Sequence, residues 1–147
     1  MKRLIIVALI VSFVGCGYGM YYTKAVKPIP QDISHLRVTG VKDIEVAGKG
    51  SGKTNYVRSI LLSALLDSKR FTVNENARHS LVVSIDGYQA GYRKYLALSA
   101  QLLDTSTDQV IWTGAISGVS KKYIDEVVKN VVLELVKEMS GGKKGQR

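Results

Sequence analysis

The 147-residue sequence is poor in cysteine, proline and histidine, with one, two and two of these residues respectively. A single cysteine excludes a disulfide bond within the chain. The two histidines, His35 and His79, lie far apart and have no cysteine or glutamate at metal-ligand spacing, so we expect no metal site. Acidic residues are also few: 12 Asp and Glu face 21 Lys and Arg, which gives a net charge of +9. A chain this basic suits anionic surfaces such as lipid headgroups or lipopolysaccharide phosphates.

Sequence patterns of enzymes are missing as well. The chain has no Gly-x-Ser-x-Gly nucleophile elbow and no evident Ser/His/Asp set. Asp104 and Asp108 flank a short polar segment, and turn formation explains them better than paired acid–base catalysis. We therefore expect a non-enzymatic protein with no catalytic residues, no cofactor and no nucleic-acid partner.

The N-terminus has the pattern of an export signal. Two basic residues at positions 2–3 precede an apolar run, residues 4–14, which is too short to span a membrane as a stable helix. The segment Phe13-Val14-Gly15-Cys16 resembles the lipobox of bacterial lipoproteins, in which cleavage leaves cysteine as the first residue. The resemblance implies that residues 1–15 are a signal peptide. It also implies that Cys16 carries a thioether-linked diacylglyceryl group and an N-linked acyl chain such as palmitate.

An uncleaved membrane anchor is the alternative interpretation of this segment. In enteric-type lipoproteins an aspartate after the lipidated cysteine retains the protein at the inner membrane, and here that residue is Gly17. By this analogy the mature protein is expected on the outer membrane, lipid-anchored and facing the periplasm. Loss of Lys2 and Arg3 with the signal leaves a net charge of roughly +7.

The rest of the chain predicts one domain between a tether and a tail. Residues 16–34 contain the lipidated cysteine, both prolines and no helical or strand period, which predicts an extended tether. Residues 35–139 carry the strand and helix patterns of a single α+β domain. Residues 140–147 are basic and contain glycine, which predicts a disordered tail.

Periodicity predicts two helices and four or five strands within this domain. Apolar residues recur at helical spacing over residues 54–67 and 121–139. Strand patterns cover residues 35–44, 71–73, 81–85, 92–103 and 109–117. The order is β-α-β-β-β-β-α. We predict a two-layer sandwich in which both helices pack on one face of a mainly antiparallel four- to five-stranded sheet.

Residues 47–54, Ala-Gly-Lys-Gly-Ser-Gly-Lys-Thr, match the relaxed form of the phosphate-binding loop of nucleotide hydrolases. Asp86 follows an apolar strand, as does the carboxylate that binds magnesium in nucleotide hydrolases. Three facts oppose this interpretation: the first residue is alanine, the chain shows a hairpin instead of repeated parallel βαβ units, and an exported protein meets no ATP. We therefore expect no nucleotide, and a role for residues 47–54 stays open.

The segment Tyr88–Tyr95 interleaves aromatic with basic residues at the entrance of a predicted strand. Such a surface can contact a phosphorylated glycolipid or an acidic loop of a partner protein. A solvated strand end with half-buried tyrosines is the alternative. Arg93 and Lys94 are the candidate contacts to an anionic ligand.

Three segments resemble the lipopolysaccharide-assembly lipoprotein family, LptE. Members often begin Cys-Gly-Tyr, as Cys16-Gly17-Tyr18 does, and run through Leu-Pro-x-x-Ile into their first strand, where this chain has Ile29-Pro30-Gln31-Asp32-Ile33. The stretch Leu103–Gly114 is similar to the family's Asp-x-x-Thr-Gly-x-Val-x-Trp hairpin, with Asp108 in place of the turn glycine. The resemblance implies a plug within an LptD-like outer-membrane β-barrel, with possible contact to lipopolysaccharide.

The same hairpin is shared by other envelope lipoproteins, and two further roles stay open. One is an LpoB-like regulator of a peptidoglycan synthase. The other is a CsgG-like subunit of a secretion complex, for which self-assembly into a ring would be the sign. The sequence alone does not choose the protein partner or the oligomeric state.

Overall fold

The computed structural model describes residues 19–45 and 48–141. The predicted signal peptide, the lipidation residue Cys16 and most of the predicted tail lie outside the described residues. The elements are β1 (Tyr21–Ala25), β2 (His35–Lys42), α1 (Thr54–Ser68), β3 (Thr72–Val73), β4 (His79–Ala90), β5 (Lys94–Asp104), β6 (Gln109–Ser120) and α2 (Ile124–Met139). The predicted α+β class with two helices is confirmed.

The strands form one open sheet in the order β1-β6-β5-β4-β2-β3. β1, β6, β5 and β4 are antiparallel neighbours. β2 is parallel to both β3 and β4, because helix α1 returns the chain to the same end of the sheet. The prediction of four to five mainly antiparallel strands is therefore wrong, since the sheet formed by the described residues has six strands and is mixed. The additional strand, β1, lies in the segment that the sequence predicts as tether.

Both helices pack on the same face of the sheet. Alternate residues of the strands point to this face, as the buried Leu96, Leu98, Ala100 and Leu102 of β5 show. The helices contribute apolar residues at helical spacing, and all of these residues form one core cluster. Its helical members include Val57, Leu61, Leu65, Val128, Val131 and Leu135. No helix within the described ranges is long and apolar enough to cross a membrane.

Gly118 of β6 allows helix α2 to approach the sheet closely. A Cβ atom at this position would lie 2.6 Å from Val131 Cγ2 and 2.8 Å from the end of Met20. We therefore expect Gly118→Val to lower the free energy of unfolding by about 1–3 kcal/mol through overpacking. Denaturant unfolding measures the change.

Gly40→Val is the matched control, because a Cβ atom at Gly40 of β2 would meet no atom within 4 Å. Its free energy of unfolding should change by no more than about 0.5 kcal/mol. Equal stability of the two variants would contradict the proposed close approach of α2 at Gly118.

Candidate functional site

One end of the sheet gathers chain segments that are distant in sequence. Lys94, at the start of β5, pairs with Ser120 at the end of β6. Val119 of β6 pairs with Tyr21, at the start of β1. The β4–β5 turn at residues 91–93 therefore lies beside the β6–α2 connection, at the end where β1 begins.

Six basic and aromatic residues meet at this end. They are Tyr92, Arg93, Lys94, Lys121, Lys122 and Tyr123, and we call them the basic–aromatic surface. Residues Tyr92 and Tyr123 are 76% and 82% exposed. An open hollow of about 480 Å³ is lined by Lys94, Lys121, Lys122, Tyr123 and Glu126. Three of these five lining residues are cationic and one is anionic, so the hollow favours anionic ligands.

Lys121 and Tyr92 interact directly within the basic–aromatic surface. The Lys121 ammonium lies 5.2 Å from the centroid of the Tyr92 ring, within cation–π distance. A hydrogen bond to Lys121 and the charge of that lysine lower the pKa of the Tyr92 hydroxyl. The positive charge of Arg93 and Lys94 acts in the same direction.

The structure places both predicted contacts, Arg93 and Lys94, in this surface. It adds Lys121, Lys122 and Tyr123, which the sequence analysis assigned to the last helix. Helix α2 instead begins at Ile124, and Tyr123 before it has extended backbone angles of φ −61° and ψ 147°. The Ser120 hydroxyl accepts a hydrogen bond from the Lys122 amide and so supports the extended connection.

The glycine-rich loop folds around a carboxylate of its own chain. One Asp43 oxygen accepts hydrogen bonds from the Ser51 amide at 2.9 Å and the Gly52 amide at 3.4 Å, and the other accepts from the Ser51 hydroxyl at 2.6 Å. Burial opposes ionisation of Asp43, but these hydrogen bonds prevail and lower its pKa. Two backbone amide groups that could otherwise face a phosphate, those of Ser51 and Gly52, therefore already face Asp43.

The lysine of the same loop is also engaged. Lys53 Nζ lies 2.8 Å from an oxygen of Asp125, at the start of α2, and this contact raises the lysine's pKa. Asp86, the candidate magnesium ligand, is exposed in β4 and lines a hollow on the sheet face away from the helices. The side chain of Asp86 therefore lies on the opposite face of the sheet from helix α1, which the loop precedes. Position 47 of the pattern lies outside the described residues.

Asp104 and Asp108 occupy the β5–β6 turn. Asp104 binds the Arg78 guanidinium through both oxygens, at 2.9 and 2.8 Å, and accepts a hydrogen bond from the Ser106 amide. Asp108 adopts the left-handed conformation with φ 60°, which aspartate tolerates better than most residues. Both residues thus have a structural part in the turn.

A pH dependence follows from Asp104. The Arg78 guanidinium and the Ser106 hydroxyl hold the pKa of Asp104 well below its usual range. Ionised Asp104 therefore stabilises the folded state fully at pH values above the pKa of the carboxyl in the unfolded chain, about 3.9. This contribution is lost as the pH falls toward the lower pKa that Asp104 has in the folded state. We expect Asp104→Asn to lower Tm at pH 7, with a smaller deficit relative to wild type below about pH 4. Thermal unfolding at several pH values measures this.

Asp108→Asn controls for this substitution, because Asp108 is exposed in the same turn and asparagine also accepts a positive φ. Its Tm should match wild type at every pH. A deficit of Asp104→Asn that stays constant down to acid pH would contradict the ion-pair explanation.

The two histidines meet at the opposite end of the sheet. Although distant in sequence, His35 and His79 line one open hollow, together with Asp32 and Arg78. Among residues 19–45 and 48–141, no group of three His, Cys, Asp or Glu side chains is placed to hold a metal ion.

Comparison with known proteins identifies the fold. No family model matches the sequence, and no curated protein matches it. Dodecameric PelC from Paraburkholderia phytofirmans superposes with a TM-score of 0.63 at 12% identity, over 86% of this chain and 100% of that chain. The chain has a PelC-like fold.

Two further solved structures share this PelC-like fold. A Xanthomonas campestris protein of the DUF330 family model has a TM-score of 0.58 at 17% identity, over 85% of this chain and 97% of its own. The lipoprotein GNA1162 from Neisseria meningitidis has a TM-score of 0.50 at 12% identity, over 71% and 96%. At these identities the likeness establishes the fold alone. It gives no support to the LptE family in particular.

Proposed function

We propose that this chain is a non-enzymatic lipoprotein of the bacterial envelope, anchored by lipid on Cys16 to the periplasmic side of the outer membrane. We further propose that it acts as a self-assembling subunit of an envelope export or assembly complex. The observation that carries the proposal is the match over the whole length of PelC, which is a dodecamer in its solved structure. The lipobox at Phe13–Cys16 and the fold shared with the lipoprotein GNA1162 support the anchor.

The sheet face away from the helices is suited to a second subunit. Two rows of small residues cross β1, β6 and β5 on this face, one formed by Thr23, Ser117 and Ala97. In the other row, Ala115 pairs with Ala25 and Ser99. The row residues are exposed or half-buried in the single chain. Small side chains let another backbone approach closely, so we propose this face as the contact between subunits.

Native mass spectrometry of the full-length protein in mild detergent tests self-assembly. We expect a discrete oligomer for wild type and dissociation for Ala115→Arg, which places a long cation on the proposed contact face. Leu66→Arg is the matched control, because Leu66 is 62% exposed on helix α1 and lies off that face. A monomeric wild-type protein, or the same oligomeric state for both variants, would contradict the proposed self-assembly. Neither result would bear on the proposed lipid anchor at Cys16.

An LptE-like role in lipopolysaccharide transport is the second candidate. The observation that favours it is the meeting of Arg93 and Lys94 with Lys121 and Lys122, which gives four cations suited to the phosphates of lipid A. Proteins co-purified with the tagged full-length chain distinguish the roles. A stoichiometric outer-membrane β-barrel would support the transport role. Recovery of a peptidoglycan synthase would instead favour an LpoB-like regulator.

We propose no nucleotide-binding role for the glycine-rich loop. The carboxylate of Asp43 accepts hydrogen bonds from the amide groups of Ser51 and Gly52, and the lysine of the pattern pairs with Asp125. We therefore expect Mg-ATP to leave the Tm of the wild-type protein unchanged. The Tm of Lys53→Ala should likewise be the same with and without Mg-ATP. A rise in the Tm of wild type that Lys53→Ala abolishes would overturn this view.

A further inference from the structure

We infer that the basic–aromatic surface lies against the lipid headgroups of the membrane that holds the anchor, and so orients the domain with its β4–β5 turn toward the bilayer. The inference rests on the proposed lipid at Cys16. It goes beyond that proposal, because a lipid anchor does not by itself fix which side of a domain faces the membrane.

The distance along the chain permits this contact. Tyr21, the first residue of β1, is the fifth residue after Cys16. Five extended residues span at most about 18 Å. Tyr21 pairs with Val119, which pairs with Tyr95, so the entrance of β5 is two strands away, about 10 Å.

The same geometry keeps the other end of the domain away from the membrane. Strand β5 runs for 11 residues from Lys94, in the basic–aromatic surface, to Asp104 in the opposite turn. Eleven residues of strand extend roughly 35 Å. With its first strand held near the lipid, the domain can bring the basic–aromatic surface to the headgroups.

The charge at this end matches a phosphate-bearing surface. Lys94, Lys121 and Lys122 line the hollow, whose acidic lining residue is Glu126, and Arg93 precedes Lys94 in the adjoining turn. A fifth nearby cation, Lys53, is already paired with a carboxylate. Each cation that reaches an anionic membrane surface strengthens membrane partition by about fivefold, an attraction that salt weakens.

The exposed tyrosines point to a lipid interface as the partner of this surface. Tyr92 and Tyr123 are among the most exposed large apolar side chains of the described residues. An aromatic ring with a polar tip is stable at headgroup depth, where one part of the ring meets hydrocarbon and the other meets water. Tyr92 and Tyr123 therefore suit a lipid interface, and the lysine and arginine beside them can contact the headgroup phosphates.

Fluorescence quenching on the anchored full-length protein tests the inference. Cys16 is blocked by its lipid, so a single new cysteine takes the dye, either Gly91→Cys in the β4–β5 turn or Thr107→Cys in the opposite turn. A Cβ atom at Gly91 has no atom within 4 Å, so the substitution is accommodated. Each labelled protein is reconstituted into vesicles of phosphatidylethanolamine and phosphatidylglycerol that contain a headgroup spin label.

We expect several-fold stronger quenching at position 91 than at position 107. Charge reversal at Arg93→Glu with Lys121→Glu should reduce the quenching at 91 toward the level at 107. The control Lys27→Glu with Lys69→Glu changes the charge equally, at exposed positions toward the opposite end, and should leave quenching unchanged.

Equal quenching at the two positions, or no effect of charge reversal at the basic–aromatic surface, would overturn the inference. Quenching at 91 that disappears when an acidic partner protein is added back would assign the surface to that partner instead. The mass of the N-terminal peptide from the same preparation shows whether the proposed anchor or only the proposed orientation is wrong. An unmodified Cys16 would overturn the proposed anchor and this inference with it, whereas a lipidated Cys16 with equal quenching overturns the inference alone.

Discussion

Trp112→Ala is expected to lower the free energy of unfolding by about 3–5 kcal/mol, among the largest effects of a single substitution in this domain. The Trp112 side chain is only 8% exposed. Its indole nitrogen donates a hydrogen bond to the Lys27 carbonyl at 2.9 Å, so the residue ties the segment after β1 to strand β6. Alanine removes both the buried ring and this hydrogen bond. Urea unfolding gives the change.

Two variants separate the contributions at this position. Trp112→Phe keeps most of the apolar burial but loses the N–H donor, so it should cost about 1–3 kcal/mol. Ile111→Ala changes the preceding residue, which is 42% exposed. It should lower the free energy of unfolding by only about 0.5 kcal/mol. If Trp112→Ala cost no more than Ile111→Ala, the ring would not be the link between the two segments.

Cys16→Ser is expected to abolish incorporation of labelled palmitate and to release the protein from the membrane fraction. Serine lacks the thiol that forms the thioether to diacylglycerol. Burial of acyl chains contributes about 0.8 kcal/mol per CH₂, so loss of two or three chains removes any durable anchor. Palmitate labelling and fractionation of cells that produce each form measure the effect.

The domain itself supplies the control for Cys16→Ser. The described structure begins at residue 19, and the substitution precedes it, so the Tm of the domain should not change. Retention of the serine variant in the membrane fraction, with an uncleaved N-terminus, would favour an uncleaved membrane anchor over lipidation.

The helices and the β5–β6 hairpin were predictable because their apolar periodicity is strong. Helix α1 was predicted over residues 54–67 and extends over Thr54–Ser68. Its residues Val57, Leu61 and Leu65 recur at helical spacing, and all three are fully buried. Local patterns of this kind report directly which face of an element meets the core.

Strand β1 was not predictable on the same grounds. Four of its five residues are exposed, so Tyr21–Ala25 carries no alternating apolar pattern. Its strand conformation comes from pairing with β6, a contact between residues about a hundred positions apart. The parallel pairing of β2 with β4 is equally a result of the tertiary fold. A register shift near Leu102 also leaves Val110 47% exposed, although it lies two residues before the buried Trp112 on the same strand.

The candidate site was predicted in part. Arg93 and Lys94 stood out because they follow tyrosines in one short segment. Lys121 and Lys122 did not stand out, because the helical spacing of apolar residues led to a predicted helix that included them. In the structure this helix begins only at Ile124. Only the register of β5 against β6, with Lys94 opposite Ser120, brings the two halves of the basic–aromatic surface together.

Mass spectrometry of the N-terminal peptide, from protein isolated out of its own membranes, tests the central claim most directly. A lipid-anchored envelope lipoprotein predicts a peptide that begins at Cys16 and carries a diacylglyceryl group and an amide-linked acyl chain. A peptide that begins at Met1, or an unmodified Cys16, would contradict the account.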